Sequence, residues 1–524
     1  RGACLPGTAN FLVGSTPAQA WGVTALGLDQ SDLFRLTVDL AGHPGRYFVD
    51  GVWRPFANLG IQVVTVKGAP GLNASVAVGD SDFGPVVTAI VSDCTPEPAI
   101  GVGSGCTSGG EYACRAVPFA LDDQDAFQGY MSMYRATDLT AFLQATEKLI
   151  WPSMNMLVAS SSGSIGYIAA GVCPVRKADE FLAGLIALDG DTASNDWQAY
   201  LPNHLKPWVI DPSAEFLVSA NHRPIGSWYP FSSLYPNIGD SLRSWRLREV
   251  LESTTSFTPA TFRGLHQDRV LPSAREITLI GAYLRDRTTF QLSSLALTAL
   301  RSLVPWVNAG AQMDAEHGGV ALAHFLRRSS RRDWASPALL AKYGAGEAGL
   351  SLFLRTVKAK ISASPPLSLT SEESGAIDFL LADAQRKLPA AAAASLRAMA
   401  DWYTQNFLVG STAPGTGAPF VYGQQLEGAG AWDPNLTFAF GPLLATDPST
   451  NCSQKGDSYS QFVRPSLTDG AESILPLGIS EHPSAPEFTN QKAAWEAARL
   501  KPSPTTLPGV QALGPTQTTV LSHP

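Results

Sequence analysis

The side chains able to do chemistry are spread thinly along this 524-residue sequence. Asp29 and Asp32 stand three residues apart, and two carboxylates at that spacing can contribute to a hard-cation site, which takes roughly six to eight oxygens. The pair reads equally well as structural turn aspartates. Asn221 precedes His222-Arg223-Pro224 and can serve as an Asx-turn residue. Arg243 opens the arginine-rich run RSWRLR, where a solvated surface role is open to it. The eight histidines are scattered; His317 and His324 lie seven apart on an expected helix without a third ligand, so a metal–histidine centre is not expected. Cys94, Cys106 and Cys114 fall in and around a Gly/Ser-rich stretch, where two of them can form a disulfide or all can remain small apolar thiols. There is no C-x-x-C, nucleophile elbow, H-E-x-x-H, P-loop or Rossmann glycine fingerprint.

The elements that must position these residues change character along the chain. LFRLTVDL (33–40), IQVVTVKG (61–68) and ASVAVGD (74–80) cluster β-branched residues between Gly, Asp and Pro, which predicts strands. Residues 96–110 read as a loop. Apolar residues at helical spacing predict one helix over 133–150, with Thr137 or Asp138 as its N-cap. NMLVASSSGSIGYIAAG (155–171) reads as a β-hairpin. From 241 to 405 helical stretches recur, such as REITLIGAYLRD, SSLALTALRSLV and AIDFLLADAQRKL. Strand candidates return after 406, among them SYSQFVRPS (458–466). The expected organisation is a strand-rich first part (1–240), a helical insert (241–405), a return to the core (406–505) and a Pro-rich, poorly ordered tail (506–524). Strands, then helices, then strands predict an α+β fold.

Bulk properties exclude several classes. Hydrophobic residues make up 45% and charged residues 16%, enough for a large core. The net charge of −8, without any lysine or arginine block, argues against a nucleic-acid partner. Apolar runs fall short of the ~18 residues of a membrane span. Asn-x-Ser/Thr sequons at Asn73, Asn435 and Asn451 fit an extracytoplasmic or secreted protein, and the compartment stays open.

Six sequence blocks, in order, resemble the penicillin acylase family of N-terminal-nucleophile hydrolases. Ala20-Trp21-Gly22-Val23-Thr24 with Asp29, Asp32 and Leu33-Phe34 is similar to that family's "AWG-T…D…DLY" block. Residues 45–56, GRYFVDGVWRPF, resemble its "RY-Y-G-WRPF" hairpin, and Gly84-Pro85-Val86 its "HGPV" element, with Phe83 in place of the histidine. The 155–171 hairpin resembles "N–YAD–GNIGY–G", and Ser219-Ala220-Asn221-His222-Arg223-Pro224 resembles "TANNRP". Gly456-Asp457-Ser458-Tyr459 and Leu475-Pro476-Leu477-Gly478 resemble its closing elements, while 250–450 matches weakly.

The resemblance implies a four-layer αββα sandwich with a helical insert, and hydrolysis of the linear amide of a small N-acyl substrate. The implied nucleophile is an N-terminal Ser or Cys whose α-amine, with a reference pKa near ~8, serves as base. It is expected to lie before residue 1; Ser15 and Ser104 each follow a glycine but are poor substitutes. The resemblance assigns the oxyanion donors to the backbone at Ala25 and the amide of Asn221, with Arg243 orienting the latter. It places Val13 and Met156 on the acyl pocket, where a plain core role is the alternative. It gives Asp29 and Asp32 to a structural calcium site whose later ligand falls near Ser232 or Ser233; no other cofactor is expected. An α-chain from the same precursor is the implied partner. The alternative function is that of a truncated, catalytically inactive relative with a structural or binding role.

Overall fold

The computed structural model describes residues 1–4, 11–39, 41–65, 73–87, 110–116, 125–177, 186–226, 228–230, most of 241–388, 459–475 and parts of 485–514. The chain opens on strands β1 (Gly2–Cys4), β2 (Phe11–Ser15), β3 (Gln19–Ala25), β4 (Ser31–Val38), β5 (Arg46–Val49), β6 (Val52–Pro55), β7 (Ala57–Thr65), β8 (Asn73–Ser81), β9 (Gly84–Pro85) and β10 (Gly110–Ala116). Helices α1 (Ala126–Arg135) and α2 (Leu139–Thr146) follow. Then come β11 (Met154–Ser160), β12 (Ile165–Ala170), β13 (Pro174–Val175), β14 (Leu188–Asp189), β15 (Ala199–Tyr200) and β16 (Trp208–Ile210). The helical stretch contains α3 (Leu242–Ser253), α4 (Pro259–Gly264), α5 (Pro272–Arg285), α6 (Ser294–Asn308), α7 (Val320–Ser329), α8 (Pro337–Tyr343), α9 (Gly346–Ser362) and α10 (Ser371–Lys387). β17 (Ser460–Val463), β18 (Ala471–Ile474), β19 (Lys501–Pro502) and α11 (Leu507–Gln511) close the described chain.

A six-stranded antiparallel sheet of order β1-β2-β3-β11-β12-β16 is the platform of the molecule. Period-two alternation gives it two apolar faces. Met154, Met156, Val158 and Ile168 pack with Trp21 against Tyr130, Met133, Leu139 and Phe142 of α1 and α2. The opposite face carries Tyr167 and Ala169, which pack with Leu26, Leu28 and the buried Cys173. A second sheet, β10-β4-β5-β6 with β14 parallel to β4, buries Phe34, Leu36 and Val38 on one side of β4. β7-β8-β9 form a separate three-stranded sheet.

The helical stretch builds its own core. Ile277 and Ile280 of α5, Leu300 and Leu303 of α6, and Ile377 and Leu381 of α10 recur every three or four residues and are buried in one cluster. Each such side chain contributes about 1.5–3 kcal/mol by leaving water. The fold is α+β, as the order of elements predicts.

Two local expectations change. The single helix expected over 133–150 is two helices, because Asp138 accepts the Ala141 N–H at 2.8 Å and caps α2 after a break at Ala136. Within the expected tail Leu507–Gln511 form α11, just after Asp469 accepts the N–H groups of Thr505 (2.5 Å) and Thr506 (2.7 Å); residues 515–524 lie outside the described residues. Cys114 lies in β10 and forms no disulfide among the described residues; Cys94, Cys106 and the 96–109 loop lie outside them.

Candidate active site

Ala25 ends β3 at an exposed position. The next residue, Leu26, donates its N–H to the Ser153 carbonyl on the β11 side at 3.1 Å. Successive residues of an antiparallel strand turn their N–H and C=O to opposite edges, so those of Ala25 face the other edge. There β2 pairs only with Ala20 and Trp21 among the described residues. Among the described residues, the last residues of β3 therefore form an open edge.

Asn221 sits on that edge with φ +60°, a left-handed conformation that asparagine tolerates better than most residues. Its Nδ2 donates to the Ala25 carbonyl at 3.0 Å, and its Oδ1 accepts from Arg243 Nη2 at 3.0 Å. The guanidinium has only donors, so it fixes which end of the amide faces Ala25. One Nδ2 hydrogen is used at the Ala25 carbonyl, and the second is left for an incoming acceptor. Arg243 reaches Asn221 from the first turn of α3. Ser241 caps that helix by accepting the Ser244 N–H at 3.1 Å, and its hydroxyl donates to the Ala220 carbonyl at 3.4 Å. A cation at the positive end of a helix is disfavoured by roughly 0.3–1 kcal/mol, a cost offset here by the bond to Asn221.

Beneath this pair lies a buried polar network. Asn155 on β11 donates to Thr24 Oγ1 at 3.0 Å and to the Ala25 carbonyl at 3.3 Å. Its Oδ1 accepts from the Tyr167 hydroxyl at 2.7 Å, and burial raises the Tyr167 pKa, which keeps that hydroxyl a donor. Thr24 Oγ1 is in turn 2.6 Å from Ser219 Oγ. The Ala25–Leu26 peptide is thus held at its carbonyl from below by Asn155 and from the side by Asn221. His222 accepts the Ala220 N–H on Nδ1 at 3.3 Å. Burial, then Arg248 and Arg243, lower its pKa to about 4, so the ring is neutral at pH 7 with its proton on Nε2.

A cavity of about 600 Å³ opens beside the site. Val13, Trp21 and Val23 of the sheet, Leu247 and Leu251 of α3, Phe262 of α4, and Tyr459 to Val463 line it. Ser219, one step from the site, shares its wall. Gln461 Nε2 donates to the Trp21 carbonyl at 2.8 Å and ties the closing strand to the open edge of β3.

The family model described as penicillin amidase matches residues 1–512. The chain belongs to the penicillin amidase family. Among curated members, it is similar to penicillin acylase 2 proenzyme of a Pseudomonas species, with 25% identity over 43% of this chain and 27% of that protein. It is also similar to acyl-homoserine lactone acylase QuiP of Pseudomonas fluorescens, with 27% identity over 44% of this chain and 26% of that protein. The matched stretch spans about a quarter of these relatives' length. Among solved structures, a thermostable penicillin G acylase from Alcaligenes faecalis matches 99% of this chain and 91% of its own, with a TM-score of 0.66 at 15% identity. The penicillin amidase fold is therefore that of the N-terminal-nucleophile hydrolases.

In this penicillin amidase chain the expected residues separate into groups. Ala25, Asn221 and Arg243 come together as described. Val13 lines the cavity. Met156 does not: it is buried in the core beneath α1 and α2, the alternative role, while Leu157, Val158 and Ala159 further along β11 stand at the cavity. Phe83, at the position of the family histidine, is buried and stacked on Phe34 at 4.7 Å. Ser15 is buried, and its backbone is bound to that of Arg1 at 2.7 Å. His324 is a core residue of α7; Ser104, His317, Ser232 and Ser233 lie outside the described residues.

Asp29 and Asp32 face Arg176, which sequence reasoning did not single out. Its Nε lies 2.7 Å from Asp32 Oδ2, and its Nη2 lies 3.1 Å from Asp29 Oδ2. Burial raises the Asp29 pKa to about 6, against the pull of Arg176. Among the described residues no group of three or more His, Cys, Asp or Glu is arranged to hold a metal ion. Both carboxylates thus have a guanidinium beside them. Asn155 and Tyr167 were also missed as polar positions; their signal was an asparagine and a tyrosine inside otherwise apolar runs.

Proposed function

We propose that this chain carries the oxyanion-binding part of an amidohydrolase that cleaves the linear amide of a small N-acyl substrate. The nucleophile in this reading is an N-terminal Ser or Cys contributed from outside residues 1–524. The observation that supports it most is the set Arg243, Asn221 and Ala25 on the open edge of β3. Attack on the amide carbonyl moves charge onto its oxygen. The Ala25 N–H and the second Nδ2 hydrogen of Asn221 lie on one edge and offer two donors to that oxygen. Arg243 and Asn155 hold the donors in place before the charge develops, which is where such groups lower a barrier. The nucleophile's own α-amine, with a reference pKa near ~8, takes the proton and returns it to the leaving amine.

The acyl group is assigned to the cavity, whose volume is in the range that encloses a small organic molecule. Its walls are apolar at Val13, Trp21, Leu251 and Phe262, with Glu215, Ser219, Ser460 and Gln461 among the polar members. This suits an apolar acyl chain, aliphatic or aromatic. A second chain cut from the same precursor is the proposed partner, in keeping with the relative named a proenzyme.

The test uses a form that includes the nucleophile-bearing segment and a panel of N-acyl substrates of graded chain length. Asn221→Ala is expected to lower turnover by ~10²–10³-fold with unchanged circular dichroism and melting temperature. Near-native turnover in that variant removes the oxyanion assignment. Failure of the unsubstituted protein on every substrate favours the inactive relative instead.

A further inference from the structure

We infer that Arg176 stands in for a metal ion at the Asp29–Asp32 pair, so that this chain secures its β3–β4 connection by an internal ion pair and does not depend on calcium. The inference does not rest on the proposed reaction. The two carboxylates alone would invite a divalent cation, as their spacing suggests. In the folded chain a side chain from 144 residues away has taken that position.

Arg176 and Trp197 engage the carboxylate pair directly. Arg176 Nε donates to Asp32 Oδ2 at 2.7 Å, and Trp197 Nε1 donates to the same oxygen at 2.5 Å. Arg176 Nη2 lies 3.1 Å from Asp29 Oδ2 and donates to the Asp29 backbone carbonyl at 3.3 Å. The three side chains are only 7%, 13% and 0% exposed for Arg176, Asp29 and Asp32. A calcium ion needs roughly six to eight oxygens at about 2.3–2.6 Å. Here Arg176 hydrogen-bonds Asp32 Oδ2 and the Asp29 carbonyl and ion-pairs with Asp29 Oδ2. Among the described residues Asp29 Oδ2 and Asp32 Oδ1 are the two buried oxygens of the pair without a hydrogen bond, far fewer than a calcium ion takes. A dication placed among them would also sit against a fixed guanidinium in a poorly solvated setting, where like charges repel strongly.

A tethered cation differs from a diffusible one in what it joins. Arg176 follows β13, which is paired with β15, while Asp29 and Asp32 bracket the entry to β4. The ion pair therefore fastens the segment leaving Ala25 to the segment leaving β12, with no ligand to lose.

The experiment takes the full chain, dialysed against calcium-free buffer, and measures bound calcium and the melting temperature in millimolar calcium chloride or in a chelator. The expected result is no stoichiometric calcium and a melting temperature equal in the two buffers to within about 1 °C, since a cation that binds only the folded state must raise it. One calcium per chain, or a calcium-dependent rise of several degrees, overturns the inference. Arg176→Met is expected to lower the melting temperature by several degrees, because it leaves two buried carboxylates uncompensated. The triple variant Asp29→Asn, Asp32→Asn, Arg176→Met is expected to recover part of that loss. If the single variant melts like the parent, or the triple variant is no better than the single, the ion pair is not what holds the connection. Should the single variant fail to fold, the triple decides: folding without calcium supports the inference and failure overturns it.

Discussion

Asn221 can act only if its amide is held at both ends, and Arg243 supplies one of them. In the nucleophile-bearing form, Arg243→Leu is expected to lower kcat by less than the ~10²–10³-fold loss of the donor itself, with KM little changed. A variant that alters KM alone would place Arg243 in substrate binding. His222 carries a pH signature. Its folded pKa of about 4 lies below its ordinary 6.5, so the stability it contributes is complete above pH 6.5 and is lost as pH falls toward 4. His222→Asn should therefore flatten the dependence of melting temperature on pH over that window, and an unchanged slope would contradict the assignment. Asn221 lies in a sequence block and Ala25 just after one, and Arg243 was reached through the resemblance that pairs it with Asn221; the fold brings the three together. Arg176 was not, because its partners lie 144 and 147 residues away and a lone arginine near a Pro-Val pair has no local signal. Met156 took the core role left open for it, because resemblance to a block gives position along a strand and not the neighbours a side chain meets.

Element by element, strands with β-branched clusters and helices with a clear apolar stripe were readable, as β4, the β11–β12 hairpin, α5, α6 and α10 show. Helix α9 was passed over because Gly344, Gly346 and Gly349 punctuate its start like a loop; the first two have positive φ and only then does the helix run on. α10 shows what a well-signalled helix start contributes. Thr370 and Glu373 form a capping box, and Glu373 also accepts from Lys360 Nζ (2.7 Å) and Tyr343 Oη (2.8 Å). Burial alone would raise its pKa, but these donors bring it from 4.5 down to about 2. The stabilisation is therefore present above pH 4.5 and lost as pH falls toward 2. Lys342 Nζ also lies 3.2 Å from Glu373 Oε1. Glu373→Gln is expected to cost on the order of 2–3 kcal/mol at neutral pH, since Lys342 and Lys360 keep some solvation. The gap between variant and parent in thermal melts should close across that acid window. A constant gap would mean that packing, not charge, carries the effect.

At the scale of the molecule, the largest described apolar cluster lies wholly between Leu242 and Leu388. Hydrogen exchange followed by mass spectrometry should find the slowest amides in α5, α6 and α10, and faster exchange throughout would show that this core is not a cooperative unit. The sheet that carries the candidate site is supported from its far side by a smaller cluster, and Cys173 is part of it. Burial raises the pKa of that thiol to about 12, and the residue is 1% exposed. Alkylation needs the thiolate in contact with solvent, so a native chain should react at Cys173 only when the layer behind Tyr167 and Leu26 parts. The labelling rate of this one position is thus a clock for the opening of the floor under Asn155 and Ala25. It can be read in any state of the protein, active or not.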